Sequence, residues 1–319
     1  MSKQLTIRTM PQEDMLTSGH GACGGCGLST AVNNVLRVLG PDTIVYAPAS
    51  CFLVFSAQYP ISALKVPFIY SAFENTGAVI SGISAGLRRQ GKASYVVGFA
   101  GDGGTFDIGL QALSGAAERN DDVLYVCVDN EAYMNTGTQR SGSTPFGAWT
   151  TTTPVGKVIQ GKRQHKKDLM SVIAAQEVPY AATLSIAHPG DFLRKVEKAK
   201  GKRGFRFLHI MTPCTSGWKT EPSATYELAR LAVETGMWTL YEIEDGAKRI
   251  TYRPKEMVPV ENYLKMQGRF KHMSKEDIET LQKWICKKWK MHYEPDMVSP
   301  VPRSEEEELS MVEEDNEGI

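Results

Sequence analysis

The segment 101–107, GDGGTFD, places a carboxylate between glycines directly after the apolar run SYVVGFA at 94–100. A strand that passes through a glycine turn into a helix presents backbone N–H groups at the helix N-terminus, and that geometry suits a diphosphate. Beside phosphates, the carboxylate of Asp102 requires a bridging cation such as Mg²⁺. A simple glycine-rich turn, with Asp102 capping the helix, would explain this motif alone equally well. The residues expected to contact the diphosphate are Gly101, Asp102, Gly103, Gly104 and Thr105.

A second polar residue, Asn130, follows the apolar run VLYVCVD at 123–129 and lies 28 residues after Asp102. That separation accommodates one helix and one adjacent parallel strand, so Asn130 should reach the same carboxyl edge of the sheet. The pair resembles the signature of thiamine-diphosphate enzymes, in which GDG is followed by an asparagine turn after the next strand. The resemblance implies that the side chains of Asp102 and Asn130 and the backbone carbonyl of Ala132 bind Mg²⁺. Glu131 replaces the second asparagine usual in these enzymes.

A C-x-x-C pair in the glycine-rich segment 19–27, GHGACGGCG, and two further cysteines after apparent strands can supply four thiolates. Four thiolates suit either Zn²⁺ or a [4Fe–4S] cluster, and their spacing alone does not separate the two. Cys127 lies within an apolar strand and Cys286 within a helix, so both are expected to be inert core residues. The four candidate ligands are Cys23, Cys26, Cys51 and Cys214.

Together these motifs resemble the β subunits of the multi-subunit pyruvate:ferredoxin oxidoreductases over roughly residues 15–295. The resemblance implies that the four cysteines hold one [4Fe–4S] cluster next to the thiamine and that Asn135 faces substrate and cofactor. The similar stretches are GHGACGGCG, the Cys51 loop, FENTGAVISGISAGL (73–87), GDGGTFDIG, DNEAYMNTGTQRSGSTPFGAWTTTTPVGK (129–157), PCTSGW (213–218) and LAVETGMWTLYEIE (231–244).

The implied activity is oxidative decarboxylation of a 2-oxoacid, most of all pyruvate, to acetyl-CoA and CO₂, with electrons passed to ferredoxin. Thiamine acts as the electron sink, and one-electron transfer requires a cluster nearby. In the family, the glutamate that activates thiamine belongs to the α subunit. Glu74 is a local candidate for that role, although a capping or subunit-contact role suits it better. The expected partners are this α subunit, γ and δ subunits, ferredoxin, coenzyme A and the 2-oxoacid.

Several alternatives remain open in the sequence. The loop STPFGAWTTTTPVGK favours pyruvate, but relatives act on branched-chain 2-oxoacids, 2-oxoglutarate or oxalate. A non-oxidative thiamine decarboxylase would need no cysteine quartet, and a zinc- or cluster-stabilised binding module would need no thiamine. His20 could contact substrate or be a structural loop residue, and Arg140 could bind an anion or form a surface ion pair.

The elements that must position these residues alternate between short apolar runs and amphipathic segments. Strands are predicted at 43–49, 94–100, 123–129 and 205–211, and helices near 29–39, 76–90, 106–119, 168–176, 190–200, 224–235 and 274–290. This alternation predicts an α/β fold with a mostly parallel sheet covered by helices on both faces, and the resemblance specifies the diphosphate-binding type of thiamine fold. The Thr-, Gly- and Ser-rich segment 133–164 is long for a connection and is therefore expected to be functional.

Composition bounds the remaining possibilities. Lys+Arg and Asp+Glu are both 36, which argues against a nucleic-acid-binding protein. No apolar run is long enough to span a membrane, and the N-terminus lacks a signal-peptide core, so cytoplasmic location is expected. Residues 1–295 are predicted to form one domain and 296–319 an acidic, mobile tail. The basic run at 161–168, GKRQHKKD, is expected to be a solvated turn.

Overall fold

The computed structural model describes residues 5–58 and 60–292, and the predicted acidic tail therefore lies outside the described residues. Eight strands form one sheet in the order β2-β1-β3-β4-β6-β5-β7-β8. The pairings among the first six strands are parallel, whereas β7 and β8 are antiparallel additions at one end. The strands are β1 (Thr43–Pro48), β2 (Phe68–Ser71), β3 (Tyr95–Gly101), β4 (Val123–Asp129), β5 (Tyr180–Ser185), β6 (Phe205–Met211), β7 (Leu240–Glu244) and β8 (Ala247–Tyr252).

Helices cover both faces of this sheet, as predicted. Alternate residues of β4 enter two separate cores, because side chains along a strand point to opposite faces. Helices α1, α6 and α8 pack on one face, and α3, α4 and α5 on the other. The helices are α1 (Gly27–Leu39), α2 (Cys51–Ser56), α3 (Thr76–Arg89), α4 (Leu110–Glu118), α5 (Leu169–Ala174), α6 (Pro189–Gly201), α7 (Thr215–Trp218), α8 (Thr225–Glu234), α9 (Val260–Lys265) and α10 (Lys275–His292).

The four predicted strands are confirmed as β1, β3, β4 and β6, with ends displaced by at most one residue. The helix predicted at 106–119 begins later, at Leu110, since a π-helical turn over Gly103–Asp107 comes first. This turn requires glycine at position 109, because a Cβ there would lie 2.0 Å from the Gly104 carbonyl oxygen. Within the described residues, no helix combines the length and apolar character needed to cross a membrane.

Candidate functional site

Strand order brings the predicted site residues to one edge of the sheet. Strands β1, β3, β4 and β6 are consecutive neighbours and run parallel, so their carboxyl ends lie side by side. The residues that follow these four ends are, in spatial order, Cys51, Asp102, Asn130 and Cys214. Ligands of open α/β sheets bind at this edge. The chain therefore gathers the carboxylate, the amide and two of the four thiols at the position where a cofactor is expected.

Three oxygens converge at the end of β3 and β4. The Asn130 amide lies 3.0 Å from Asp102 Oδ1 and 2.8 Å from the carbonyl oxygen of Ala132. In one orientation the Asn130 amide nitrogen faces these two oxygens and donates a hydrogen bond to each. In the other, the amide oxygen faces them, and three oxygen acceptors lie together. Mg²⁺–oxygen distances near 2.1 Å place neighbouring ligands of an octahedron about 3 Å apart. The second orientation therefore fits Mg²⁺, and the first satisfies the same atoms when no cation is bound.

Asp102 is buried and does not cap the turn that follows it. Its side chain makes no capping bond, which removes the interpretation of GDGG as a simple helix cap. Instead, the Ser141 hydroxyl donates to Oδ2 of Asp102. Burial, followed by the nearby Asp129, raises the pKa of Asp102 well above its usual value. A buried carboxylate in this state requires a cation to hold it ionised, which agrees with a metal-binding role.

The glycine turn is shaped by its neighbours. A Cβ at Gly103 would lie 2.4 Å from the Tyr133 ring, and one at Gly104 would lie 3.3 Å from the Phe73 carbonyl oxygen. A Cβ at Gly101 would meet open space. Thr105 is fully buried, and its hydroxyl donates to the Gly101 carbonyl over 2.7 Å. The hydroxyl of Thr105 is thus committed to the turn, and its backbone N–H is the group left for a phosphate.

A buried ion network supports Asn130 from beneath. Asp129 accepts hydrogen bonds from the Ser143 hydroxyl and from Nε2 of His209, the latter over 2.8 Å. Lys166 Nζ lies 3.0 Å from carboxylate oxygens of both Asp129 and Glu131. Asp129, Glu131 and His209 are buried, and the Lys166 side chain is 18% exposed, so the two carboxylates depend on their partners.

Electrostatics fixes the charge states in this network. Burial alone would raise the pKa of Asp129, but Lys166 and His209 outweigh it and hold the pKa below its usual range. Burial would lower the pKa of Lys166, and the two carboxylates raise it instead. Burial lowers the pKa of His209, although Asp129 opposes this. Asp129 and Lys166 are therefore a permanent ion pair, and His209 is neutral near pH 7.

Glu131, which replaces the usual second asparagine, has a structural role in this turn. Its φ of 67° lies in the left-handed region, which a non-glycine residue occupies at a cost. Its carboxylate lies 2.6 Å from Arg269, whose guanidinium stacks 4.0 Å from the centre of the Trp218 ring. The Trp218 indole N–H in turn donates to the Asn130 carbonyl over 2.8 Å. The strained turn is thus held by Arg269 at the Glu131 side chain and by Trp218 at the Asn130 carbonyl.

The basic run at 161–168 is a solvated turn only in part: four of its residues are exposed, but the prediction was wrong for two lysines. Lys166 lies in the network just described, and Lys162 is 1% exposed, with its ammonium group bonded to the Thr144 carbonyl. Burial lowers the pKa of Lys162 to about 8. No local signal in the sequence distinguishes these lysines from exposed ones, because their partners are remote in the chain. Within the segment 133–164, residues 141–150 are largely buried, with Ser141 and Ser143 against the carboxylates, whereas 151–160 are mostly exposed.

The four predicted cluster ligands line one cavity next to Asn130. The cavity is also bordered by Asn135 and Thr212, so the predicted substrate-facing asparagine opens into it. Cys127 and Cys286 are buried elsewhere, in β4 and α10, as expected for core residues. The four predicted ligands that line the cavity are Cys23, Cys26, Cys51 and Cys214.

The glycine-rich loop that carries the C-x-x-C pair is packed against the segment after β6. Gly25 has φ +72° and approaches Pro222 so closely that a Cβ would lie 2.3 Å from the Pro222 carbonyl oxygen. The Thr215 hydroxyl donates to the Gly24 carbonyl over 2.9 Å, and Thr225 donates to the Gly25 carbonyl. These contacts bring the first two cysteines to Cys214, which lies nearly 200 residues later.

The thiols are close enough to influence one another. Burial, followed by Cys214 and Cys26, raises the pKa of Cys51 to about 12. Burial also raises the pKa of Cys26 and of Cys214. In residues 5–58 and 60–292, no three His, Cys, Asp or Glu side chains are gathered tightly enough for one metal ion. A four-iron cluster binds one thiolate at each of its irons, so its ligands surround a larger volume, and the donor set fits such a cluster.

The remaining candidates occupy peripheral positions. The imidazole of His20 accepts from the Ala22 N–H over 3.3 Å and lies 5.4 Å from the Phe55 ring, which gives it a structural contact in the loop. Glu74 is exposed just before α3. Arg140 is exposed, and its guanidinium forms no salt bridge with the residues that the structure describes, so the expected surface ion pair is not found there.

Comparisons with known proteins agree with this geometry. Residues 49–210 match the family model described as thiamine pyrophosphate enzyme, C-terminal TPP binding domain. Pyruvate synthase subunit PorB of Methanothermobacter marburgensis is 50% identical over 277 residues, 86% of this chain and 96% of the relative. Ketoisovalerate oxidoreductase subunit VorB of Pyrococcus abyssi is 50% identical over 289 residues, 88% of this chain and 93% of the relative.

Among solved structures, 2-oxoglutarate:ferredoxin oxidoreductase from Magnetococcus marinus, with 2-oxoglutarate, coenzyme A and succinyl-CoA bound, has a similar fold. Its TM-score is 0.55 at 19% identity, and the match covers 70% of this chain and 81% of that one. This likeness in fold agrees with the predicted thiamine-type α/β fold.

Proposed function

Because the chain belongs to the β-subunit family of the 2-oxoacid:ferredoxin oxidoreductases, we propose that it takes part in the oxidative decarboxylation of pyruvate to acetyl-CoA and CO₂ in the cytoplasm. In this proposal it holds thiamine diphosphate through Mg²⁺ and passes electrons through one [4Fe–4S] cluster to ferredoxin. It works with an α subunit and further γ and δ subunits, and coenzyme A takes up the acetyl group.

The observation that carries the proposal is the shared wall between the two halves of the site. Asn130 lies against Asp102 and Ala132 in the oxygen cluster, and it also borders the cavity that the four cysteines line. A cation held by the first set and a cluster held by the second would be neighbours. Thiamine diphosphate, when bound, supplies an electron sink for decarboxylation, and a cluster in the neighbouring cavity would suit the transfer of single electrons.

Each residue has a defined task in this proposal. The side chains of Asp102 and Asn130 and the carbonyl of Ala132 would hold Mg²⁺, with Ser141 orienting the Asp102 carboxylate. Backbone N–H groups of Gly103 and Gly104 would hold the diphosphate at the start of the π-helical turn. Asn135, exposed at the border of the cysteine cavity, would orient the substrate.

The chain is expected to need its α subunit for activity. Thiamine requires a carboxylate at its aminopyrimidine ring. The acidic side chains described at this edge already have partners: Asp102 bonds to Ser141, Asp129 to Lys166, and Glu131 to Arg269. Glu74 is exposed and has no described hydrogen bond to this network. We therefore propose that the activating glutamate comes from the α subunit and that Glu74 contacts a partner or caps α3.

Substrate choice is the least constrained part of the proposal. Relatives named for pyruvate and for ketoisovalerate are equally similar to this chain, at 50% identity. The loop that favoured pyruvate begins at Ser143, whose hydroxyl bonds to Asp129, and Ser141 just before it bonds to Asp102. That part of the loop serves the metal site, which any 2-oxoacid would use. A branched-chain 2-oxoacid is therefore the second candidate substrate.

The test is a kinetic panel on the purified complex. Pyruvate, 2-oxoisovalerate, 2-oxoglutarate and oxalate are supplied with coenzyme A, and reduction of a viologen dye is followed. We expect the highest kcat/KM with pyruvate, and no turnover by the isolated chain loaded with thiamine diphosphate, Mg²⁺, iron and sulfide. A higher kcat/KM with 2-oxoisovalerate than with pyruvate would show that 2-oxoisovalerate is the preferred substrate. Dye reduction by the isolated chain would contradict the need for a partner's glutamate.

A further inference from the structure

Thr212 is a buried residue of the cysteine cavity whose hydroxyl has no assigned task. It directly follows β6, and its backbone N–H donates to the Asp129 carbonyl over 2.8 Å. The residue is 1% exposed and borders the cavity together with the four cysteines. Within residues 5–58 and 60–292, its Oγ1 has no hydrogen-bond partner. The backbone of Thr212 is therefore satisfied and its side chain is not.

A buried hydroxyl without a partner is costly. Leaving one unsatisfied costs about 1–3 kcal/mol, and native structures seldom contain such groups without a reason. The contrast with Thr215, three residues later on the same cavity, is direct, because its hydroxyl donates to the Gly24 carbonyl over 2.9 Å. Hence the threonines of this segment do not lack partners in general, and the cavity that Thr212 borders is a place where an acceptor for its hydroxyl could bind.

Thr212 is also held in a fixed orientation. Met211 pairs with Asp129 and Ser185 at the end of the sheet, so the residue before Thr212 cannot shift. Pro213 follows it and restricts Thr212 to an extended backbone conformation. A β-branched side chain on a fixed backbone has few rotamers, so the hydroxyl is oriented before any ligand binds.

We propose that the Thr212 hydroxyl donates a hydrogen bond to a sulfur of the [4Fe–4S] cluster and thereby sets its reduction potential. The inference rests on the proposed function, because it requires a cluster on Cys23, Cys26, Cys51 and Cys214. Hydrogen bonds to the sulfurs are among the factors that set cluster potentials. A donor stabilises the reduced cluster, which carries one more negative charge, so the bond raises the potential. Thr212 is then a positioning residue for electron transfer and not a ligand.

The experiment compares Thr212→Val with Thr212→Ser in the intact complex. Valine keeps the shape and removes the hydroxyl, while serine keeps the hydroxyl. Thr251→Val is the matched control, because the Thr251 hydroxyl is also buried without a described partner but lies on β8, at the far edge of the sheet. The cluster signal is followed by electron paramagnetic resonance in a redox titration, and it is assigned to this subunit by its loss in the Cys214→Ala complex.

In Thr212→Val we expect the ratio of reduced to oxidised cluster, at a fixed potential, to fall by at least about threefold. Thr212→Ser and Thr251→Val should stay within about twofold of the unaltered complex. Coupling of one exchangeable proton to the cluster, seen by electron–nuclear double resonance in H₂O and D₂O, should disappear in the valine variant alone. If Thr212→Val does not assemble, Thr212→Ala provides the same comparison.

The outcomes separate this inference from the function on which it rests. An unchanged potential in Thr212→Val, with four irons present, would show that the hydroxyl bonds only to water, and the inference would fail while the function stands. Absence of any four-iron signal that depends on Cys214 would instead overturn the cluster assignment itself.

Discussion

The oxygen cluster around Asp102 and the cysteine cavity beside it differ in how far the protein alone completes them. At the oxygen cluster, Ser141 bonds to Asp102, and Ser143, Lys166 and His209 bond to Asp129. In the cavity, burial raises the pKa of Cys51 to about 12, and the Thr212 hydroxyl has no partner among the described residues. One half is preorganised by hydrogen bonds and ion pairs, and in the proposed function the other would be completed by the cluster that it binds.

The difference has a physical origin in the two ligands. In the proposed function, thiamine diphosphate and Mg²⁺ would bind reversibly, so their site must keep its shape when it is empty. The cluster would be inserted once and then remain as part of the structure, in the way that structural metal sites contribute to folding. We therefore expect substitutions of Asp102 to affect cofactor retention without unfolding, those in the ion network beneath Asn130 to lower stability, and those in the cavity to affect the cluster and its loop.

Asp102→Ala should have the largest effect. It removes the one carboxylate expected on Mg²⁺ and leaves the diphosphate charge without a bridging cation, so thiamine diphosphate retention should fall at least about 100-fold. Cofactor content is measured by chromatography after desalting. Asp121→Ala, at a surface salt bridge with Arg119, is the control and should retain normal content. Near-normal content in Asp102→Ala would show that the oxygen cluster does not hold the cofactor.

Lys166→Met tests whether the network beneath Asn130 is a structural support. The change leaves the buried carboxylates of Asp129 and Glu131 without their shared cation, and breaking such a pair typically costs 3–5 kcal/mol. We expect a loss of roughly 3 kcal/mol or more in the free energy of unfolding, measured by denaturant titration. Lys202→Met removes a surface pair with Glu244 and should cost less than about 0.5 kcal/mol. Equal effects of the two variants would argue against a supporting role.

Cys214→Ala tests the cavity, and its effect should be confined to the cluster. With three thiolates left, we expect an oxygen-labile or three-iron cluster, whereas Cys127→Ala and Cys286→Ala should keep four irons. Iron analysis and electron paramagnetic resonance on the three complexes give the answer. A normal cluster in Cys214→Ala, together with its loss in Cys286→Ala, would move the fourth ligand to α10.

His209→Gln should have the smallest effect and should appear only in acid. Burial lowers the pKa of His209 in the folded chain, while an unfolded histidine titrates near 6.5. Below about pH 6.5 the unfolded chain therefore binds a proton that the folded chain does not, so stability falls as the pH falls. Glutamine can still donate to Asp129 but does not titrate. Between pH 7 and 5.5, the unaltered protein should lose up to about 1.4 kcal/mol per pH unit more than the variant, and parallel curves would contradict this.

Much of the sheet could be predicted from local sequence, but not all of it. The runs that were predicted are rich in Val, Ile, Phe and Tyr, the residues that favour buried strands. Strand β5, YAATLS, is equally buried but composed mostly of small and polar residues. Strand β8, AKRITY, lies at an exposed edge where apolar patterning is weak, and β2, FIYS, is an exposed edge strand of only four residues. Their positions depend on neighbouring strands and not on their own composition.

The site divides in the same way. Asp102 and Asn130 could be predicted to meet because their strands are separated by a single helix. Strand β6, by contrast, lies between β4 and β5, out of chain order, and only this arrangement brings Cys214 beside Asn130. The supporting role of Lys166 could not be predicted either, because its partners lie 37 and 35 residues earlier in the chain. A basic run has the same sequence pattern whether its side chains are buried or exposed.

The packing of the glycine-rich loop on the segment after β6 also has a consequence for how the protein is made. Cys51 and Cys214 are 163 residues apart. At translation rates of 5–20 residues per second, roughly 8–30 s separate the synthesis of the third thiol from that of the fourth. During this interval the loop has no Pro222 or Thr225 to pack against, so the cavity does not exist. In the proposed function, cluster insertion would therefore follow synthesis of most of the chain, and a ribosome that pauses between these codons would prolong the exposure of three unprotected thiols.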